Sequence, residues 1–128
     1  NPDRQLVSNT AVAARIVMPH LQDLNHEVFY VLYLNHANKL LKEERISSGG
    51  YTQTTVDVRM ILKSCLLHNA SRMIIAHNHP SGNKRPSDSD KRITAQIKEA
   101  AQLMEIKLID HIIVAGSEYL SMADEGMI

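Results

Sequence analysis

The sequence predicts an α/β or α+β sandwich built around one mixed sheet, and two observations support that prediction. Residues 27–34 form an almost continuously apolar run, rich in β-branched and aromatic side chains. Such a run is typical of a strand that is covered by helices on both faces. Along the chain, the helical and extended patterns follow one another as helix, hairpin, helix, strand, helix and strand. That order is typical of a layered fold with a single sheet.

The first half of the chain supplies a helix and a hairpin. Apolar residues recur at helical spacing in the N-terminal segment, and a proline is predicted to end that helix. The hairpin strands are recognised by their β-branched content and by the polar turn between them. In chain order we predict a helix near 3–18 ended by Pro19, a strand at 27–34, a turn at 35–38, a strand at 39–47, a break at Gly49 and Gly50, and a short β segment at 51–55.

The second half alternates helices with short buried strands. Asp57 places acidic charge at the start of one helix, where the helix dipole favours it. A loop with one glycine and two prolines is predicted to be irregular and exposed. In chain order we predict a helix at 56–69, a buried strand at 73–76, a loop at 80–86, a helix opened by Ser87 and running to about Met104, a strand at 107–115, and a last short strand at 118–122.

Composition limits the class of protein. With 128 residues, 44% hydrophobic and 22% charged, the chain suits one globular domain, 1–128, with its N-terminal helix within about 1–22. Lys plus Arg and Asp plus Glu both number 14, so net charge favours neither nucleic acid nor membrane. The single cysteine, Cys65, excludes an internal disulfide and lies in an apolar helical run.

Location and chain context are also expectations from the sequence. No apolar stretch approaches the roughly 18 residues of a membrane span, and no signal peptide opens the chain. We therefore expect a cytoplasmic protein without a membrane partner. The first residue is Asn1 rather than Met, so we expect the C-terminal part of a longer chain.

Two histidines one residue apart follow the strand at 73–76. In an extended chain alternate side chains point the same way, so His77 and His79 face one side together. Pro80 keeps His79 out of the helical region. A carboxylate, Asp90, falls at the third position of a helix that Ser87 caps. Two imidazoles and one carboxylate make a three-ligand zinc site, although Ser-x-x-Asp is also an ordinary capping arrangement.

A hydrolytic zinc site also needs an acidic base outside the ligand shell. Glu27, at the start of a buried strand, is the best candidate. Glu43 and Glu44 on the hairpin are rivals, and a plain surface carboxylate is the alternative for Glu27. The remaining histidines beside turns and element ends are predicted to be solvated: His20, His26, His36 and His68.

The strand at 107–115 carries two further polar residues. Alternation predicts Ile109, His111 and Ile113 on one face and Asp110, Ile112 and Val114 on the other. His111 is predicted to be a core histidine that makes one hydrogen bond. Orientation of a zinc ligand is the alternative role. Asp110 is a candidate partner for a backbone amide.

The segment His77-Asn78-His79-Pro80 through Ser87-Asp88-Ser89-Asp90 resembles the JAMM motif of JAB/MPN metalloproteases, Glu…His-x-His-Pro…Ser-x-x-Asp. His-Asn-His-Pro-Ser-Gly followed by Pro-Ser-x-x-Asp is similar to the bacterial RadC family. Residues 27–29, Arg59, residues 69–70 and residues 110–113 resemble RadC as well. Met60 departs from the glutamate that the family usually carries there.

The resemblance, which covers about residues 27–126, implies a cytidine-deaminase-like three-layer α/β/α fold with one catalytic zinc. By that resemblance His77, His79 and Asp90 bind the metal. Glu27 takes a proton from the attacking water, and Ser87 helps to stabilise the oxyanion. The implied activity is hydrolysis of an amide in an unidentified peptide or protein substrate. RadC chains usually carry a helix-hairpin-helix region upstream, and the family's name refers to DNA repair.

Two nucleic-acid interpretations compete with this one. His-Asn-His suggests an HNH nuclease, but those sites use a ββα finger with distant histidines, so the adjacent pair has the wrong layout. Four cations flank the proposed site, and they could steer an acidic substrate, bind a phosphate backbone or form a solvated face: Lys84, Arg85, Lys91 and Arg92. A DNA-binding module without peptidase activity is the alternative function. Affinity that falls steeply with salt and drops after substitution of Lys84 and Arg85 would favour it.

Overall fold

Three helices and five strands make up residues 3–48 and 56–128, the part of the chain that the computed structural model describes. In chain order they are α1 (Thr10–Leu21), β1 (Val28–Leu34), β2 (Leu40–Ser48), α2 (Val58–Leu67), β3 (Arg72–Asn78), α3 (Asp88–Leu103), β4 (Lys107–Ala115) and β5 (Glu118–Ser121). The predicted β segment at 51–55 and the break at Gly49 and Gly50 lie outside the described residues.

The strands form one mixed sheet in the order β2-β1-β3-β4-β5. Strand β1 is antiparallel to both β2 and β3, β3 runs parallel to β4, and β4 is antiparallel to β5. The parallel pair needs a crossover, which α3 provides. Helix α1 packs on one face, and α2 and α3 pack on the other. The predicted α/β sandwich is therefore confirmed, with three layers.

Strand β1 is buried on both faces, as its sequence predicts. All seven of its residues are buried. Its side chains divide between the two cores by simple alternation. Val28, Tyr30, Leu32 and Leu34 pack on the α1 side, and Phe29, Val31 and Tyr33 pack on the α2 and α3 side. This arrangement fixes the register of β1 against β3, because a slip by one residue would exchange the two sets.

The N-terminal helix differs from the prediction at its start. Helix α1 begins only at Thr10, where the side chain of Asn9 accepts a hydrogen bond from the Val12 amide at 2.9 Å. Residues 3–9 are not helical, and Leu6 forms an isolated bridge with Lys39. Leu6 and Val7 have the apolar spacing of a helix, but their main chains contact Lys39 and Asn38 of the hairpin instead.

Pro19 does not end α1, which continues to Leu21. A proline removes one N–H donor and crowds the carbonyl four residues earlier. In the last turn this affects a single hydrogen bond, and the helix still closes with Gln22 N–H donating to the Met18 carbonyl at 2.9 Å. The prediction that Pro19 is a stop was therefore wrong.

A bulge in β4 changes which residues share a face. Met73 pairs with Leu108 and Ile74 pairs with Asp110, so Ile109 is an extra residue in the ladder. As a result Ile109 packs on the α1 core, whereas His111 contacts the ring of Phe29 on the opposite face. The predicted placement of Ile109 and His111 on one face was wrong, because uninterrupted alternation does not allow for a bulge.

Helix α2 and its two ends contain three residues for which the sequence gives a prediction. Asp57 caps α2 by accepting the Arg59 amide hydrogen bond. Burial raises the pKa of the Cys65 thiol to about 12, in agreement with a structural role. His68 is half-buried and stacks on Tyr33, so its prediction as a solvated residue was wrong.

Among the described residues, we find no helix with the length and apolarity needed to span a membrane.

Candidate metal centre

The site lies where β3 ends and α3 begins. His77 is the penultimate residue of β3, and it pairs with Phe29 of β1. The chain leaves the sheet at His79, whose amide donates to the Val114 carbonyl at 2.8 Å. A loop then returns the chain to Ser87, so that the first turn of α3 lies over the strand end. This strand, loop and helix start hold both histidines and Asp90 together.

Four side-chain atoms converge at this point. Nε2 of His77 lies 2.9 Å from Oδ1 of Asp90, and Nε2 of His79 lies 3.0 Å from Oδ2. The two Nε2 atoms are 3.0 Å apart. His77 and Asp90 are buried, and His79 is half-buried. The sequence-predicted ligand atoms are thus brought within bonding reach of a common centre.

The outer nitrogen of His79 determines how this residue faces the centre. Nδ1 of His79 lies 2.6 Å from the carbonyl of Asn83. Because a carbonyl can only accept, Nδ1 carries the hydrogen and neutral His79 presents an unprotonated Nε2 to Asp90. Lone pairs on a carboxylate and an imidazole at 3.0 Å repel each other unless a cation or a proton lies between them.

The electrostatics of the centre attract positive charge. Burial alone would raise the pKa of Asp90, but the contacts with His77 and His79 outweigh it and hold that pKa well below the usual range. When His79 is protonated, its Nε2–H can donate to Asp90, and this hydrogen bond raises the pKa of His79 above its ordinary value, although burial opposes it. Asp90 therefore remains a carboxylate, and its negative charge favours a cation beside the imidazoles.

Ser87 and Asp90 form a capping box at the start of α3. The Ser87 hydroxyl oxygen accepts the Asp90 amide hydrogen bond at 3.0 Å, and the Ser87 amide donates to Oδ2 of Asp90 at 2.8 Å. Capping and facing the histidines are therefore compatible, since the carboxylate does both. Because Ser87 Oγ only accepts in the hydrogen bond from the Asp90 amide, its own hydroxyl hydrogen is available for another acceptor.

Glu27 approaches the same centre from β1. Side-chain atoms of Glu27, His77 and His79 all lie within 4.8 Å of one another, a distance at which the three could hold a metal ion. The carboxylate oxygens of Asp90 lie 2.9 and 3.0 Å from Nε2 of His77 and of His79. The arrangement therefore brings two carboxylates, those of Asp90 and Glu27, to the two histidines.

Asn78, between the two histidines, anchors the segment that carries Glu27. Its side chain is buried on the side of β3 opposite to His77, as alternation requires. Its carbonyl oxygen accepts from the Val28 amide at 2.7 Å, and its amide group donates to the His26 carbonyl at 2.8 Å. Both residues that flank Glu27 are thus fixed to β3 by one side chain.

A cavity of about 810 Å³ opens over the centre. Glu27, His77, His79, Ser87 and Asp90 all line it. Its wall also carries apolar and cationic side chains, including Phe29, Ile93, Arg85 and Arg92. The five predicted site residues therefore line one cavity.

Comparison with known proteins shows the family of the chain. Residues 7–127 match a family model described as RadC-like JAB domain. The chain belongs to the RadC-like JAB domain family. It is 40% identical over 121 residues to a UPF0758 protein of Flavobacterium johnsoniae, covering 94% of this chain and 53% of the relative. It is 41% identical over 128 residues to a UPF0758 protein of Porphyromonas gingivalis, covering 99% and 56%. The chain thus spans about half the length of the curated relatives that it matches.

Some predicted candidates lie away from the centre of this RadC-like JAB domain. Glu43 accepts a hydrogen bond from the Tyr30 hydroxyl, and Glu44 accepts from Tyr33 and Ser64. Neither glutamate is among the residues that line the cavity. Both rivals of Glu27 therefore serve the hairpin and its contact with α2.

The four cations of the RadC-like JAB domain are placed unequally. Nζ of Lys84 lies 3.7 Å from a carboxylate oxygen of Glu118, and Lys91 is exposed outside the cavity lining. Arg85 and Arg92 line the cavity itself. The basic residues thus do not form one continuous strip, since two of the four line the cavity and two do not.

Sequence reasoning missed two residues of the site. Asn78 was treated only as the residue between the histidines, although alternation places its side chain on the face of β3 opposite to His77. Thr94 was not considered, although it lies one helical turn after Asp90 and so faces the same side of α3. His111 makes two side-chain hydrogen bonds rather than the predicted one, to His77 at 2.8 Å and to Thr94 at 2.6 Å. Asp110 accepts from backbone amides, as expected.

Proposed function

We propose that this domain is a zinc-dependent hydrolase of JAMM type that cleaves an amide bond in a peptide or protein. One observation carries the proposal. Two imidazole nitrogens and a carboxylate converge to within 3.0 Å of one another, and His79 is held with its Nε2 facing inward. Such a group of electron donors requires positive charge at its centre.

The donor set fits zinc. Two histidine nitrogens and one carboxylate oxygen are a common catalytic zinc set, which leaves a fourth position for water or substrate. The three side chains line one cavity, from which water or a substrate could reach them. A zinc ion bound here would lower the pKa of a coordinated water from about 16 toward 7 and polarise a substrate carbonyl.

The remaining steps belong to residues of this chain. Glu27 accepts the proton of the attacking water, because its carboxylate adjoins both histidines and lines the cavity. The same side chain then returns the proton to the leaving amine. The Ser87 hydroxyl, oriented by the amide of Asp90, donates to the oxygen on which negative charge develops. The polar cap of α3 thus doubles as an oxyanion donor.

Metal content tests the proposal directly. We expect protein that is purified without chelators to contain about one equivalent of zinc, because three ligands converge. His79→Ala is expected to lose most of that zinc and the stability that bound metal adds. The measurement is elemental analysis together with thermal unfolding before and after the addition of zinc.

His36→Ala is the matched control for the metal assay. His36 is an exposed histidine in the hairpin turn and does not line the cavity. Its substitution should therefore leave the zinc content at the wild-type value. Wild-type protein that neither contains zinc nor takes it up, or His79→Ala protein with undiminished zinc, would contradict the proposal.

Asn78→Ala is expected to lower hydrolysis by about 10²-fold while zinc stays bound. The reason is that both backbone contacts that hold the Glu27 segment are lost, and displacement of a catalytic group by about 1 Å has an effect of that size. Rates on quenched peptides and zinc content should be measured together. Equal losses of zinc and of rate would show that Asn78 supports the ligands rather than Glu27.

Nucleic-acid binding is the second candidate function, and the two cavity arginines, Arg85 and Arg92, favour it. Lys84 is paired with Glu118, which reduces the charge available to a phosphate backbone. The peptidase proposal has the stronger support, since the converging ligands have no role in backbone binding.

A further inference from the structure

A closed ring of polar contacts lies behind the metal centre. Nδ1 of His77 is 2.8 Å from Nε2 of His111, and Nδ1 of His111 is 2.6 Å from the Thr94 hydroxyl. That hydroxyl lies 2.6 Å from the main-chain carbonyl of Asp90. The carboxylate of Asp90 contacts His77 and so completes the ring. His111 and Thr94 are buried, and His111 has no exposed surface.

The position of each hydrogen in this ring follows from one carbonyl. Two oxygens at 2.6 Å need a hydrogen between them, and the Asp90 carbonyl has none to give. The Thr94 hydroxyl hydrogen is therefore directed at Asp90. Since a hydroxyl has only one hydrogen, the Thr94 oxygen can only accept from His111. Nδ1 of His111 must then carry the hydrogen of its ring.

The next contact is determined in the same way. His111 is fully buried, and among the described residues its side chain is hydrogen-bonded to His77 and Thr94 rather than to a carboxylate, so the ring is neutral. Its Nε2 is then an acceptor, and Nδ1 of His77 must donate to it. If Nε2 of His111 carried the ring hydrogen instead, lone pairs on Nδ1 of His111 and on the Thr94 oxygen would face each other at 2.6 Å.

We propose that Thr94 and His111 fix the tautomer of His77, so that its Nε2 remains unprotonated and faces the metal position. The inference rests on the proposed metal site and makes Thr94 and His111 positioning residues. A histidine that ligates a metal commonly donates its other N–H to an oxygen acceptor. Here the acceptor is the imidazole of His111. Its Nε2 can accept from His77 because the contact with Thr94 keeps the ring hydrogen of His111 on Nδ1.

The test is a pair of substitutions at one position. Thr94→Val keeps the shape of the side chain but removes the acceptor, so His111 can no longer hold its hydrogen on Nδ1 without leaving it unpaired. We expect zinc affinity to fall by about 10–100-fold, as for other partners of metal ligands. Thr94→Ser restores the hydroxyl and should restore most of the affinity. The measurement is competition for zinc against a chelator of known affinity.

Thr10→Val provides a matched control. It removes a threonine hydroxyl that contacts Asp110 rather than the ring, at 3.4 Å. Zinc affinity should not change in this variant. Equal affinity of Thr94→Val and wild type, with both proteins folded, would overturn the inference and leave the metal site intact. Absence of zinc binding in wild type would instead remove the metal proposal.

The tautomer can also be measured without any variant. Nitrogen NMR of ¹⁵N-histidine-labelled wild-type protein, with His111 assigned through its contact with Thr94, reports which ring nitrogen carries hydrogen. We expect His111 to be protonated on Nδ1 and not on Nε2, with or without zinc. Hydrogen on Nε2 of His111 would overturn the inference whatever the metal affinities show. A side chain that only fills space would not select this tautomer.

Discussion

Replacing Glu27 with glutamine is expected to lower amide hydrolysis by about 10²–10⁴-fold while zinc stays bound, which is the usual contribution of a general base. Glutamine keeps the size of the side chain but cannot take a proton from water. Because His77, His79 and Asp90 converge to within 3.0 Å of one another without Glu27, these three predicted ligands should be unaffected. Initial rates on a panel of internally quenched peptides, with zinc content measured on the same samples, check both statements.

Glu43→Gln is the matched control for this experiment. Glu43 is a half-buried glutamate that accepts a hydrogen bond from Tyr30 and does not line the cavity. Its rate should stay within about twofold of wild type, since substitutions away from a site change free energies by roughly 0.5 kcal/mol. A Glu27→Gln enzyme that keeps the wild-type rate with zinc bound would remove Glu27 from the mechanism.

Asp110→Asn is expected to destabilise the fold by about 3 kcal/mol. The Asp110 carboxylate is buried and accepts from the backbone amides of His111 and Ala123 at 2.7 and 2.9 Å, and from the Ser121 hydroxyl at 2.5 Å. An amide group turned toward these donors leaves at least one of them unpaired. Urea unfolding of the metal-free protein measures the change.

Asp124→Asn is the comparison for Asp110. Asp124 belongs to the same C-terminal turn, but its side chain is exposed. Its substitution should change the free energy of unfolding by less than about 0.5 kcal/mol. If the two variants unfold at the same urea concentration, the buried carboxylate does not hold β4 to the C-terminal turn as we argue.

Much of the fold could be predicted because local pattern and tertiary packing agree. The continuous apolar run of β1 is buried on both faces, and the bounds of β4 match those expected. The start of α1 could not be predicted, because Leu6 and Val7 have helical spacing but contact the hairpin. The bulge at Ile109 was also hidden, since nothing in an alternating apolar run marks an inserted residue.

The ligand half of the site was visible in the sequence, because a strand, a short loop and a capped helix determine where its residues lie. The residues that support the ligands and Glu27 could not be identified from the sequence. Asn78 and Thr94 act through main-chain atoms and through another ring, and such contacts depend on strand pairing that one sequence does not specify. His111 is separated from His77 by 34 positions, so only the parallel pairing of β3 with β4 brings them together.

The hydrogen bonds of Asn78 to the residues on either side of Glu27 bear on the order in which the site residues come together during folding. Its contact with Val28 spans 50 positions, whereas the contact between His79 and Asp90 spans 11. Closing the shorter loop costs less chain entropy and is the faster event. If the domain is the hydrolase that we propose, its three metal ligands would therefore come together before Glu27 reaches them. A partly folded chain would then bind zinc without hydrolysing amide bonds.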